Sequence, residues 1–209
     1  MSDGAKERDA AGDRAGPAAG PAAGPAAGQG AEQPGLRGTT ALLVTVPEAD
    51  PLVGGARRRY DPSAGAGVPA HVTVLYPFLP ADRIDDAVTA ELRTLFAARE
   101  PFTLAFTGFG RFPDLLWLIP EPDAPLRALT AAVEARWPEA PPYGGEYEDP
   151  VPHLTVAGGQ PPEVYEALER EFRGGLPLRT SVTGVHLVVN DGVRWRLRET
   201  FPLAGHPDE

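Results

Sequence analysis

Two short segments carry residues able to move protons and hold an anion: Ala70-His71-Val72-Thr73-Val74-Leu75-Tyr76-Pro77-Phe78 and Pro152-His153-Leu154-Thr155-Val156-Ala157. Each reads His-apolar-Thr-Val. Successive side chains of a β-strand alternate between faces, so His71 would share a face with Thr73, and His153 with Thr155, while Val72, Val74, Leu154 and Val156 turn to a core. Two imidazoles with pKa values near ~6.5 can divide the labour at neutral pH, one as general base and one as general acid, each typically worth ~10² to 10⁴ in rate. Threonine hydroxyls beside them can hold the non-bridging oxygens of a phosphate and orient it for in-line attack. Phosphodiester cleavage suits this set, because a water or hydroxyl must lose a proton as a leaving alkoxide gains one. No metal is required, and no compact Asp/Glu/His ligand cluster is visible; Glu146, Glu148 and Asp149 fall in a stretch that reads as a solvated loop. His186 and His206 lack a following Thr and are assigned no chemistry.

The elements that must position these residues also recur. Ala41 to Val46 reads as a buried strand, and Asp50-Pro51 opens a helix to Tyr60 that Gly54 and Gly55 weaken. The first motif strand follows at about 70–76, closed by Pro77 and Pro80. Asp82 is expected to cap a helix with Ile84, Val88, Leu92, Leu95 and Phe96 on one face. Phe102 to Thr107 alternates as a strand that Gly108 and Gly110 interrupt, and Leu115 to Ile119 makes another. The second half repeats the order: a helix at about 125–137, a Pro/Gly-rich loop over 138–150, the second motif strand over 152–157, a helix at about 162–172, and strands near 177–189 and 193–201. Phe106-Thr107-Gly108-Phe109 follows the first motif much as Val182-Thr183-Gly184-Val185 follows the second. The expected fold is α+β and bilobal: duplicated strand-helix-strand-helix-strand-strand units, about 40–119 and 115–202, with mainly antiparallel sheets flanking a central cleft. Tyr76 falls on the buried side by alternation and is read as core.

Composition narrows the function. The 209 residues include no cysteine, which excludes disulfides, thiolate metal sites and a cysteine nucleophile. Residues 1–38 are rich in Ala, Gly and Pro, with Gly-Pro-Ala-Ala written three times between Gly16 and Ala27, and are expected to be a disordered tail, while 204–209 is read as a short C-terminal tail. Net charge is −10, and beyond residue 38 the chain holds 15 basic against 24 acidic side chains. An acidic domain is a poor match for a protein tracking a long nucleic-acid backbone, since phosphate neutralisation supplies that affinity. A small phosphorylated substrate or an RNA end remains compatible. No stretch approaches ~20 apolar residues, so a cytoplasmic protein without a membrane partner is expected.

Val68 to Phe78, with His153-Leu154-Thr155-Val156 and the duplicated arrangement, resembles the two-histidine (2H) phosphoesterase superfamily, and in particular its bacterial 2′-5′ RNA ligase branch; the resemblance covers about 39–203. It implies His71 and His153 as the acid/base pair and Thr73 and Thr155 as phosphate holders. It also implies hydrolysis of 2′,3′-cyclic phosphates, or reversible 2′-5′ joining of RNA, without a nucleotide cofactor; no cofactor and no stable protein partner are expected. Arg194, Arg196 and Arg198 alternate with Trp195 and Leu197, so Arg194 and Arg196 are candidate substrate contacts, and Tyr143 could stack on a base from its Gly-rich loop. The alternative is a module that binds a phosphorylated nucleotide or RNA end without turning it over. Histidine in both motifs favours the enzyme, because a pure binder is better served by Arg or Lys, which stay charged.

Overall fold

The computed structural model describes residues 34–203. The expectations for residues 1–33 and 204–209 lie outside these. Residues 34–38, read as the end of the tail, belong to the fold: Pro34–Leu36 forms a 3₁₀ turn, Gly38 N–H donates to Asn190 O at 2.9 Å, and Ala81 N–H donates to Gly38 O at 2.8 Å.

Eight strands and five α-helices follow: β1 (Thr40–Thr45), α1 (Asp50–Tyr60), α2 (Pro62–Gly65), β2 (His71–Leu75), α3 (Asp86–Ala97), β3 (Phe102–Phe112), β4 (Leu115–Glu121), α4 (Ala124–Arg136), β5 (Leu154–Gly158), α5 (Pro162–Phe172), β6 (Leu178–Val182), β7 (Gly184–Asn190) and β8 (Trp195–Pro202). They form two four-stranded sheets, ordered β2-β1-β7-β8 and β5-β4-β3-β6, with antiparallel pairing throughout. The expected α+β class and antiparallel sheets are therefore found, and each motif strand occupies the edge of its sheet.

The sheets do not follow the halves 40–119 and 115–202. β3 lies with β4 in the second sheet, and β7 crosses to pair with β1 in the first. Short connections explain this: β3 and β4 are joined through only Pro113 and Asp114, so they must pair, and β4 in turn pairs with β5. The helices cross over in the same sense, α1 packing along β5 and α4 along β2. Each motif strand is thus backed by the other half of the chain.

Local chemistry departs from expectation in three places. Asp85, not Asp82, caps α3, its carboxylate accepting from Val88 N–H at 2.9 Å; Asp82 sits in a 3₁₀ turn, and Ile84 is buried ahead of the helix. β3 runs through Gly108 and Gly110 as one strand, with the expected interruption reduced to a register shift against β4 between Phe106 and Phe109, and a Cβ on Gly110 would stand 2.2 Å from the Trp117 ring. The glycine makes room for an indole rather than ending the strand. His153 stands just ahead of β5 rather than within it.

The alternating apolar residues of β1, β2, β4 and β5, among them Leu42, Val44, Val72, Leu116, Leu118, Leu154 and Val156, join Phe96, Leu129 and Leu168 from the helices in one continuous core. A smaller cluster of Leu43, Val68, Val188 and Trp195 lies apart from it, and partly exposed Tyr76 packs against it, its ring edge-on to Trp195 at 6.1 Å. Among the described residues no helix is long and apolar enough to cross a membrane.

Candidate active site

β2 and β5 lie against each other where the sheets meet, and this brings the two motifs together. His71 and His153 are 6% and 5% exposed, Thr155 is buried and Thr73 half-buried. Both imidazoles make the same contact, Nδ1 of His71 lying 2.8 Å from Pro69 O and Nδ1 of His153 lying 2.8 Å from Val151 O. A carbonyl only accepts, so Nδ1 carries the hydrogen in each ring and Nε2 is left with the lone pair. Two segments 82 residues apart thus present one tautomer.

The electrostatics of the two rings differ from the ordinary histidine value assumed from sequence. Burial lowers the pKa of His71 to about 4, helped by the Arg57 guanidinium and slightly by His153, against the Pro69 carbonyl and Asp61, which raise it. Burial also lowers His153, opposed by the Val151 carbonyl and Asp61. Without an anion bound, both rings are neutral at pH 7.

Four residues that the sequence reading passed over complete the surroundings. Arg57 and Asp61, 2% and 3% exposed, form a buried ion pair at 2.8 Å, and Arg57 Nε also donates to Thr155 O at 3.1 Å. Phe112 and Trp117 stack at 5.1 Å and meet the His153 ring edge-on at 5.6 and 6.0 Å. The i,i+4 spacing of Arg57 and Asp61 was visible, but Arg57-Arg58-Arg59 reads as a solvated basic run.

Of the candidate contacts, Tyr143 joins the site. Its hydroxyl is hydrogen-bonded to the Thr73 side chain, burial pushes its pKa up to about 12, and its backbone holds a left-handed φ of 52°. Its N–H donates to Tyr76 O at 2.6 Å, covering the free edge of the chain after β2. Arg127 of α4, paired with Asp123 one turn back, pins the far end of this loop through Asp149 and the Pro150 carbonyl, which gives Asp149 a partner. A cavity of about 290 Å³ lies between, lined by Thr73, Tyr143, Arg127, Glu134, Glu148 and Val151. Arg194 stands just ahead of β8 and Arg196 within it; β8 is the other edge of the sheet from β2 in strand order, while Trp195 between the two arginines donates its backbone N–H to Ala66 O at 2.9 Å and meets the Tyr76 ring. Arg196 pairs with Asp191 at 2.9 Å, and Arg198 donates to the carbonyls of Ala81 and Ile84. His186 rests between the hydroxyls of Thr45 and Thr200, each at 3.0 Å. Among the described residues no three His, Cys, Asp or Glu side chains gather as metal ligands.

The family model of the 2′-5′ RNA ligase superfamily matches residues 45–194. The chain belongs to that superfamily. Among bacterial relatives, a Bacillus thuringiensis (strain Al Hakam) protein provisionally named a phosphoesterase is 30% identical over 159 residues, covering 71% of this chain and 87% of the relative. One from Geobacillus kaustophilus (strain HTA426) is 27% identical over 158 residues, with 71% and 86% covered. Escherichia coli LigT, solved in complex with 3′-AMP, superposes with a TM-score of 0.52 at 17% identity, over 80% of this chain and 98% of LigT. A Thermus thermophilus protein gives 0.56 at 22% identity, over 81% and 100%. These structures show that this superfamily member has the LigT-like fold.

Proposed function

We propose that the protein is a metal-independent phosphoesterase that opens 2′,3′-cyclic phosphates, or cleaves 2′-5′ linkages, of nucleotides or short RNA, with His71 and His153 as the acid/base pair. The observation that carries this reading is the matched Nδ1–H to carbonyl contact, which leaves a basic Nε2 on each ring. Superfamily membership, the phosphoesterase names of the relatives and the 3′-AMP bound by LigT support it.

In the reaction, Thr73 and Thr155 donate hydroxyl hydrogens to the non-bridging phosphate oxygens. The phosphodiester anion raises the pKa of the imidazoles it meets, since an opposite charge favours the protonated ring. One histidine therefore takes up a proton on binding and becomes the acid, while the other stays neutral as the base. The base removes a proton from water as its oxygen bonds to phosphorus; the acid gives its proton to the ester oxygen that leaves on the opposite side. With the 5′-hydroxyl of a second RNA end in place of water as the nucleophile, the same course joins the ends: its oxygen bonds to the phosphorus of the cyclic phosphate as the 3′ oxygen leaves with the acid's proton, one ester bond being exchanged for another. Phe112, beside His153, offers a partly exposed ring on which a base can stack.

Phosphorus NMR of the products from 2′,3′-cyclic AMP and from a cyclic-phosphate-ended oligonucleotide tests the proposal. A single regioisomer is expected, the 2′-phosphate if the superfamily's orientation holds, with the rate unchanged after EDTA treatment. A mixture of 2′- and 3′-phosphates overturns the fixed acid. Rescue of an EDTA-treated sample by Mn²⁺ overturns metal independence. Binding without turnover of either substrate replaces the enzyme with the binding module.

A further inference from the structure

The buried Arg57–Asp61 pair has no part in the reaction as written. Taking a guanidinium and a carboxylate out of water is costly, and well-packed apolar side chains in their place are often no less stable. The pair is instead wired to both motifs. On one side Arg57 Nε lies 3.1 Å from both Asp61 Oδ2 and Thr155 O, while Nη2 donates to Asp61 Oδ2 at 2.8 Å. On the other, Asp61 Oδ1 accepts from Ser63 N–H at 2.9 Å and from Ser63 Oγ at 2.7 Å, which caps α2. The segment that α2 begins runs to Pro69, whose carbonyl orients His71. One buried network therefore reaches the backbone of the second motif directly and the ring of the first through a short stretch of chain.

We propose that Arg57 and Asp61 are positioning residues of the acid/base pair, fixing the two motifs against each other and setting which protonation states the histidines share. This rests on the acid/base reading above. The charged or titratable groups that act on His71 are Arg57 and Asp61 from α1 and its end, and His153 from the opposing motif; on His153 the charged group is Asp61, its other neighbours Phe112 and Trp117 being uncharged. The guanidinium thus opposes protonation of one histidine more than the other, while the carboxylate favours protonation of both. Two rings that share a tautomer and are almost equally buried are made unequal by one neighbour.

The two roles of Arg57 separate in two variants. Arg57→Gln removes the charge and leaves Asp61 unopposed, so His71 should protonate at higher pH. Arg57→Lys keeps the charge, but a single ammonium lacks the planar fork that engages Asp61 and the Thr155 carbonyl together. Imidazole NMR titration of the full chain, read beside pH–rate profiles on 2′,3′-cyclic AMP, measures both. In Arg57→Gln the His71 midpoint should rise by about one pH unit or more and exceed the movement of His153, carrying the acid limb of kcat/KM upward. In Arg57→Lys the His71 midpoint should stay within about half a unit while kcat falls about tenfold and KM changes less than about twofold. The titration needs no substrate, so a wild-type protein that turns nothing over would defeat the acid/base reading while the histidine midpoints still report on the network. A lower melting temperature with unmoved His71 midpoints would make the pair merely structural and overturn the proposal. If Arg57→Gln does not fold, full kcat in folded Arg57→Lys overturns it instead.

Discussion

The two His-x-Thr segments agree in what their own sequence determines and differ in what is packed around them. Each turns its ring with a carbonyl two residues back, at 2.8 Å in both cases. Around the first stand charge and hydroxyl: Arg57 beside His71, and Tyr143 bonded to Thr73. Around the second stand aromatic rings, Phe112 and Trp117, with the Thr155 carbonyl taken by Arg57. In the proposed reaction the repeated motif supplies two bases with one tautomer. Their surroundings, Arg57 from its own half and Tyr143 from the other for the first motif, Phe112 and Trp117 from the other half for the second, are what would let one act as the acid.

The largest expected effect removes one side of this comparison altogether. His71→Ala and His153→Ala should each lower kcat/KM by at least ~10², because neither ring can carry the other's proton. Circular dichroism should show both variants folded. Near-wild-type turnover in either would leave a single histidine mechanism. The pH dependence of stability is linked to the same residues. A His whose folded pKa lies below its unfolded value binds fewer protons when native, so stability is complete above about pH 6.5 and falls as pH drops toward 4, the folded value of His71. His71→Ala should lose part of that acid sensitivity in melting temperature, and a melting curve as steep in pH as wild type would argue against a buried neutral ring.

The hydroxyls should matter less. Thr73→Val and Thr155→Val should each cost ~1 to 3 kcal/mol of transition-state stabilisation, the scale of a hydrogen bond to a charged group. Rates of both variants against 2′,3′-cyclic AMP measure this. No loss in either would remove that threonine as a phosphate holder.

How much of this was legible from sequence depends on the kind of information. Period-two alternation around His71 and His153, with Val72, Val74, Leu154 and Val156 inward, is a property of local chain and carried through to the site. So did α5, whose bounds Pro162–Phe172 follow from a proline in its first turn and apolar Tyr165, Leu168 and Phe172. Partners are not local. Nothing in the composition of β3 says that it will join the sheet of the second motif. Gly110 signals either an interruption or a close approach, and only its cross-strand partner Trp117 decides between them. Arg57 was hidden by its neighbours, since a run of three arginines is usually solvated and only packing against β5 buries the first.

The smallest expected effect bears most directly on the asymmetry, because Tyr143 is bonded to the first motif, at Thr73 and Tyr76. Thr73 and Tyr143 hydroxyls share one hydrogen bond, and a phenol whose pKa stands at about 12 remains protonated throughout the working range. With the Tyr143 phenol donating to the Thr73 oxygen, the Thr73 hydroxyl hydrogen stays available for a phosphate oxygen, and in the proposed reaction the two residues hold the anion as a unit. Tyr143→Phe should then raise KM about two- to fivefold with kcat nearly unchanged, as expected for an interaction made equally in ground and transition states. Coupling is the sharper test. In a double-mutant cycle, Tyr143→Phe should be non-additive with Thr73→Val, since the pair is in contact, and additive within about 0.5 kcal/mol with Thr155→Val on the other strand. Equal coupling to both threonines would mean that Tyr143 acts on the bound phosphate as a whole, and the distinction drawn between the two motifs would then rest on Arg57 alone.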